Sequence, residues 1–346
     1  MRLHAAAALA ALALSATAVP AAALEAKEGL VRLVVNETSA RVSVYRLVDV
    51  AKNRYESLLF DQDPRTSFMT LNVDGRTVKL GDSSDYRFSV SRTDQGAVIE
   101  FKSAACAVRQ TVVFAKSAGS ALADGVRVSI EIENLSERDS SIGLRCLLDT
   151  WLSEKAGAHF TTDQRARVSE ETAITSDAPD TWVSSPGEKA SFMVELSYPE
   201  YERPARAVLA NWKRLSDAPW SFEVNPQRNF TLIPYSINDS AIALYWEPVV
   251  LQRGGTRKLG FTMGAFNEGG YPESVVKTAT EELFASTVLG AAPPDAATSL
   301  GADLVAARDL LQRIDRAIAT GGEILPEEIA AWKKILDRLE ERKKGY

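Results

Sequence analysis

The sequence predicts a mainly β protein, a large antiparallel sandwich followed by a C-terminal αα-hairpin. Three observations carry that prediction. From Leu30 to about Met263 the chain is a succession of short apolar–polar alternating runs rich in β-branched residues, with Gly, Pro, Asp, Asn and Ser between them. No three-turn helical pattern interrupts this region, which argues against alternating βαβ units. After residue 299 the periodicity changes, with apolar residues recurring at steps of three and four.

The first element is an export signal. Arg2 precedes the acid-free apolar run "AAAALAALALSATAV", and Ala21 and Ala23 supply a small-x-small cleavage pattern, so residues 1–23 are expected to be removed after Ala23. The run is shorter than the ~20 residues of a comfortable membrane span, and nothing later in the sequence resembles one. The expected location is periplasmic or secreted, with no integral membrane segment after cleavage.

The β region, residues 24–289, opens with "GLVRLVVNETSARVSVYRLVD". Next, "SFMTLNVDGRTVKLGD" places "DG" between two strand-like runs, a strong hairpin signal. Further strands are expected at "YRFSVSRTD", "AVIEFKSA", "AVRQTVVFAK", "GVRVSIEIENLS", "IGLRCLLDTWL", "ASFMVELSY", "ARAVLANW", "FTLIPYSI", "AIALYWEPVVL" and "TRKLGFTMGAF". This is more than twice an immunoglobulin-type sandwich of ~100 residues. No flexible linker divides the region, which favours one enlarged double sheet over two domains in tandem. "YPESVVKTATEELFAST" (271–287) suits a short helix leaving it, and residues 290–298, with paired prolines, read as a linker.

The hairpin occupies residues 299–346. Leu304, Leu311, Ile314 and Ile318 fall on one stripe; "TGGE" breaks the helix; Ile329, Trp332, Leu336 and Leu339 form the second stripe. Two helices alone make a poor core. Their stripes are therefore expected to dock on the β domain, on a protein partner, or on a second copy.

Composition narrows function without naming it. Forty-six acids against forty bases, well mixed, argue against a nucleic-acid binder. Cys106 and Cys146 are the only cysteines, and either one disulfide or two separate buried thiols fits an exported chain. Histidine occurs only at positions 4 and 159, and no G-x-S-x-G elbow or metal-ligand spacing is present. Asp149, Glu154 and His159 form the one local acid/base set, yet a lone loop histidine is more often structural. No catalytic set, metal site or cofactor motif is assigned. Tryptophans beside polar groups are more suggestive: Asp149 with Trp151, Trp182, Trp212, and Trp246 with Glu247. Together with His159 they make a candidate sugar-stacking cleft; the alternative is that these indoles fill a core.

The strand "IGLRCLLDTWLSEKAGAHF", with "VLANW" and "PYSINDSAIALYWEPVVLQRGGTRKLGFTMG", resembles a group of exported bacterial β proteins whose architecture is similar to the galactose-mutarotase-like supersandwich. The resemblance implies that fold over most of residues 30–266. Mutarotases of this class are expected to use two histidines and a carboxylate; past the expected signal this chain has only His159, so their mechanism does not carry over. Two functions from different classes are expected. One is a noncatalytic exported scaffold or recognition protein that docks a protein partner, or itself, through the hairpin. The other is a carbohydrate-binding or carbohydrate-processing protein with a Trp/Asp-lined cleft and a glycan as ligand.

Overall fold

The computed structural model describes residues 23–157, 159–196 and 201–272, together with isolated helical positions between 307 and 341. The chain starts with a four-stranded meander of β1 (Ala23–Glu28), β2 (Val31–Asn36), β3 (Val42–Asp49) and β4 (Arg54–Ser57). Next comes a hairpin, β5 (Phe68–Val73) to β6 (Arg76–Lys79). Its turn residues Asp74 and Gly75 both have positive φ, 51° and 84°. That is the conformation for which Asp-Gly is the preferred pair. The Asp74 carboxylate further accepts from the Ser141 N–H and from Arg138, each at 2.8 Å, anchoring the turn to the neighbouring strand.

A second meander contains β7 (Arg87–Thr93), β8 (Gly96–Lys102), β9 (Cys106–Ala115) and β10 (Gly125–Asn134). Then come β11 (Ser140–Thr150), the short strands β12 (Thr161–Thr162), β13 (Thr172–Thr175), β14 (Trp182–Ser185) and β15 (Phe192–Glu195), and β16 (Arg206–Asn211). A single-turn helix α1 (Trp212–Asp217) precedes the long strands β17 (Ser240–Leu251) and β18 (Thr256–Ala265). All pairings between these strands are antiparallel. They build an eight-stranded sheet, β12-β14-β15-β18-β10-β9-β8-β7, and a six-stranded sheet, β13-β16-β17-β11-β5-β6.

One core lies between these sheets. Val126, Val128, Ile130 and Ile132 of β10 and Leu259, Phe261 and Met263 of β18 meet Ile142, Leu144, Cys146 and Leu148 of β11 and Ile242, Leu244 and Trp246 of β17. Those residues alternate along each strand, as the period of two requires. The intervening residues of the six-stranded sheet are buried as well. Leu147, Val208, Ala243 and Tyr245 pack beneath α1 and the segment after it, with Leu215, Trp212, Trp220 and Phe222 as the covering layer. Burial on both faces explains why β11 reads as a nearly unbroken apolar run.

Several expectations are corrected. "FTLIPYSI" is not a strand. It holds a lone Leu232–Ser236 bridge around a cis Ile233–Pro234 peptide, and Ile233, Tyr235 and Ile237 are 78%, 71% and 76% exposed. Pro234 has no N–H to give to a ladder. The disulfide is absent: Cys106 opens β9 and Cys146 lies in β11, in different sheets, and both are free buried thiols. Strand β1 falls where no strand was expected, paired along its length with β2.

Residues 1–22, the linker at 290–298, and Leu304, Ile314 and Ile318 lie outside the described residues, as does all but the start of 271–287. Leu311, Ile329, Trp332, Leu336 and Leu339 are helical positions. Leu339 packs against a small cluster of Leu30, Leu47 and Leu122 on the β domain. Among the described residues no helix is long and apolar enough to cross a membrane.

Candidate functional site

Strands β11, β16 and β17 end together, because Thr150 and Asn211 both stand opposite Ser240. Thr150 Oγ1 donates to the Ser240 carbonyl at 2.8 Å. The Asn211 amide reaches the carbonyls of Phe230 and Asp239 and the Ser236 hydroxyl, at 2.7, 3.1 and 3.0 Å. Its oxygen also accepts from the Arg214 N–H, capping α1. One asparagine thus ties the strand end, the helix and the returning loop into a rigid rim.

Three carboxyls meet at this rim. Asp149 lies near the end of β11, on the face away from the main core, and is 5% exposed. Burial pushes its pKa up to about 7, with Asp239 and Asp63 adding to the effect and a hydrogen bond with Thr66 opposing it. Glu154, on the turn after β11, is pushed up to about 8, again chiefly by burial, with Asp239 and Asp149 contributing. The Ser240 N–H donates to Glu154 Oε1 at 3.1 Å and opposes the shift. Asp239 is raised by burial, with Ser236 opposing. No cation contributes to any of the three shifts. Asp149 and Glu154 hold protons near neutral pH, so the group offers both donors and acceptors.

Two half-buried indoles flank the carboxyls. Trp212 Nε1 donates to the Thr66 carbonyl at 2.9 Å, and Trp151 Nε1 to that of Ser57 at 3.3 Å. Their N–H groups are satisfied by the protein, which fixes ring orientation. His159 is buried, its ring 4.5 Å from that of Phe230. Burial lowers its pKa to about 4, against a partial offset from Asn238, so it is neutral at physiological pH.

The expected cleft residues therefore divide. Asp149, Trp151 and Trp212 gather at one rim, with His159 in the layer behind Asn238. Trp182 lies in β14 of the other sheet, edge-on to Phe266 at 5.1 Å. Trp246 is fully buried between the sheets and donates to the Glu202 carbonyl at 2.7 Å, so it fills the core. Glu247 pairs with Arg206 at 3.1 Å and accepts from Trp220 Nε1 at 3.2 Å, away from the Asp149 rim. Asp239 was not anticipated; an acid one residue before a strand carries no local sign of what it will face. Among the described residues no group of three or more His, Cys, Asp or Glu side chains is arranged to hold a metal ion.

No family model and no curated protein matches the chain. Among solved structures it is similar to a galactose mutarotase-like protein from Lactobacillus casei ATCC 334, at 10% identity and a TM-score of 0.41, over 71% of this chain and 100% of that one. It is also similar to a galactose mutarotase related enzyme from Lactobacillus acidophilus, at 10% identity and a TM-score of 0.44, over 73% and 100%. A TPR-domain containing protein from Parabacteroides distasonis ATCC 8503 aligns at 9% identity and a TM-score of 0.45, over 92% of this chain and 65% of that one. At these identities the resemblance is one of fold, and it carries no argument about chemistry.

Proposed function

We propose that the chain is an exported carbohydrate-recognising protein whose ligand occupies the rim at Asp149, Glu154 and Asp239. The observation that carries this reading is the convergence of three carboxyls, without a cation among the causes of their shifts, between two half-buried tryptophans. Sugar hydroxyls both donate and accept, and so do carboxyls poised near neutral pH. Indole faces supply the apolar contact that the ring C–H groups of a sugar need. Recognition is the activity proposed. His159, buried, neutral and hydrogen-bonded with Asn238, is not counted among the ligand-facing groups.

Intrinsic tryptophan fluorescence titrated with a broad panel of neutral polysaccharide and cell-wall fragments tests the reading. A saturable change that is lost in Asp149→Asn and in Trp212→Phe supports it. A flat response across the panel removes it.

A second reading keeps the noncatalytic scaffold, and one observation favours it. Leu311, Ile329 and Leu336 are 61%, 51% and 46% exposed, whereas Leu339 is packed on the β domain. Helical positions that pack at Leu339 yet expose Leu311, Ile329 and Leu336 suit a protein partner or a second copy. In-cell crosslinking of the full chain and of a chain lacking residues 299–346 separates the two readings. Partners lost with the segment favour the scaffold.

A further inference from the structure

A depression elsewhere on the β region differs in character from the acidic rim. Gly187 backs onto Leu152, where an added Cβ would stand 3.0 Å from the leucine Cβ. The depression is a cavity of ≈ 250 Å³. Its walls are Arg46 of β3, the turn from Gly187 to Ser191 between β14 and β15, and Phe266 just after β18. The turn is held in place from two sides. The Phe266 N–H donates to the Ser191 carbonyl at 2.9 Å, and the Gly187 N–H donates to Ser191 Oγ at 3.3 Å.

The wall carries two cations, Arg46 and Lys189, against one acid, Glu188. Among the described residues neither cation makes an ion pair, although Glu56 stands directly opposite Arg46 in the β3–β4 register. A half-buried guanidinium with no carboxylate on it is a ready oxyanion receptor, because its forked N–H groups match two oxygens at once. Phe266 is 39% exposed, and Trp182 holds its ring from one edge, 5.1 Å away at 73°. Such a ring offers a flat apolar surface. The volume falls below the ~300–1,000 Å³ of drug-sized pockets, so the ligand is small, about one sugar ring.

We propose that this cavity binds an anionic monosaccharide unit, carboxylate- or sulfate-bearing, with its oxyanion on Arg46 and Lys189 and its ring over Phe266. The site stands independently of the reading given to the acidic rim. Neutral sugars leave the two cations unpaired, and a bare inorganic anion leaves Phe266 uncovered. Charge and ring are therefore both required.

Isothermal titration of the full chain with glucuronate, glucose 6-sulfate, glucose and inorganic sulfate tests the proposal. Glucuronate or glucose 6-sulfate binds at least about tenfold more tightly than glucose or sulfate, and added salt weakens that binding. Whichever anionic sugar binds better identifies the oxyanion. Arg46→Met and Phe266→Ala each lower its affinity by about tenfold or more. Lys189→Met, at an exposed position, serves if Arg46→Met fails to fold. Equal affinity for glucose and glucuronate, no binding of either anionic sugar, or an unaltered affinity in the cation variants overturns the proposal. Loss of binding in Glu154→Gln also overturns it, by assigning the ligand to the acidic rim.

Discussion

At the scale of single residues, the carboxyls of the rim set the direction in which pH acts on stability. A carboxyl whose pKa is raised by folding holds its proton more tightly in the folded state, so stability is lost as pH climbs from the unfolded value to the folded one. For Asp149 that window runs from 3.8 to about 7, and for Glu154 from 4.5 to about 8. His159 acts in the opposite sense. Its folded value is lowered from 6.5 to about 4, so stability rises with pH across that interval and the residue is silent above it. Above pH 6.5, of these three groups only the two carboxyls contribute, and they lower the melting temperature. Glu154→Gln removes one share of that decline. Its melting temperature relative to the parent protein should rise between about pH 6 and about pH 8, and thermal scans at several pH values check it. A difference that stays flat with pH would show that Glu154 is not held protonated. The cysteines give a second residue-scale expectation. Burial pushes both thiols up to about 12, so native protein should not react with a thiol reagent at neutral pH. Denatured, unreduced protein should release two reactive thiols.

At the scale of elements, the layer formed by α1 and residues 218–239 depends on one buried acid. The Glu171 side chain is fully buried and pairs with Arg214 at 2.9 Å and Arg228 at 2.7 Å. It also accepts from the Asn225 N–H at 3.0 Å, and its own N–H donates to the Arg228 carbonyl at 2.8 Å. Glu171→Ala leaves two arginines facing an emptied pocket and should cost about 3–5 kcal/mol in urea denaturation. Because Trp212 and Trp220 belong to this layer, their emission should shift to the red in the same variant. Ile233→Ser, at an exposed tip of the same layer, should change stability by no more than about 0.5 kcal/mol. The contrast between these positions bears on what the sequence discloses. The β5–β6 hairpin is legible because Asp74 and Gly75 determine their turn locally. "FTLIPYSI" misleads because its alternation looks like that of a strand, yet past the buried Phe230 its Ile233, Tyr235 and Ile237 face solvent. The rim is only half legible. Asp149 and Glu154 are close in sequence, but Asp239 joins them through the β11–β17 register, which sets Asp149 opposite Ala241. Register between strands about ninety residues apart leaves no mark on either strand alone. The same holds for Trp246, which β17 turns into the core, and Trp151, which lies just past the end of β11.

At the scale of the whole molecule, the β region has to be weighed against the C-terminal segment for which of them the fold depends on. Every residue of the largest apolar cluster lies between Val31 and Met263, so both large sheets close their shared core before residue 273. Tyr271 is the last large side chain to add to that region. It is 3% exposed, packs over Gly125 and Gly264, and donates from its hydroxyl to the Ala265 carbonyl at 2.7 Å. Beyond residue 272, the described helical positions place Leu339 on Leu30, Leu47 and Leu122. Burying one leucine stabilises by about 1.5–3 kcal/mol at most, little beside a core of this size. A chain ending at residue 272 should therefore retain one cooperative unfolding transition, with a modestly lower midpoint and newly exposed apolar surface at the Leu30–Leu47–Leu122 cluster. Calorimetry together with binding of a hydrophobic dye measures both. Substituting Leu339→Ser in the full chain should reproduce the dye response without moving the midpoint further than truncation does. Should the truncated chain fail to fold, the helical positions would be an integral layer of the sandwich. A scaffold that docks partners through a separable hairpin would then lose its physical basis, whereas the rim at Asp149 and the cavity at Arg46, both built within residues 23–272, would keep theirs.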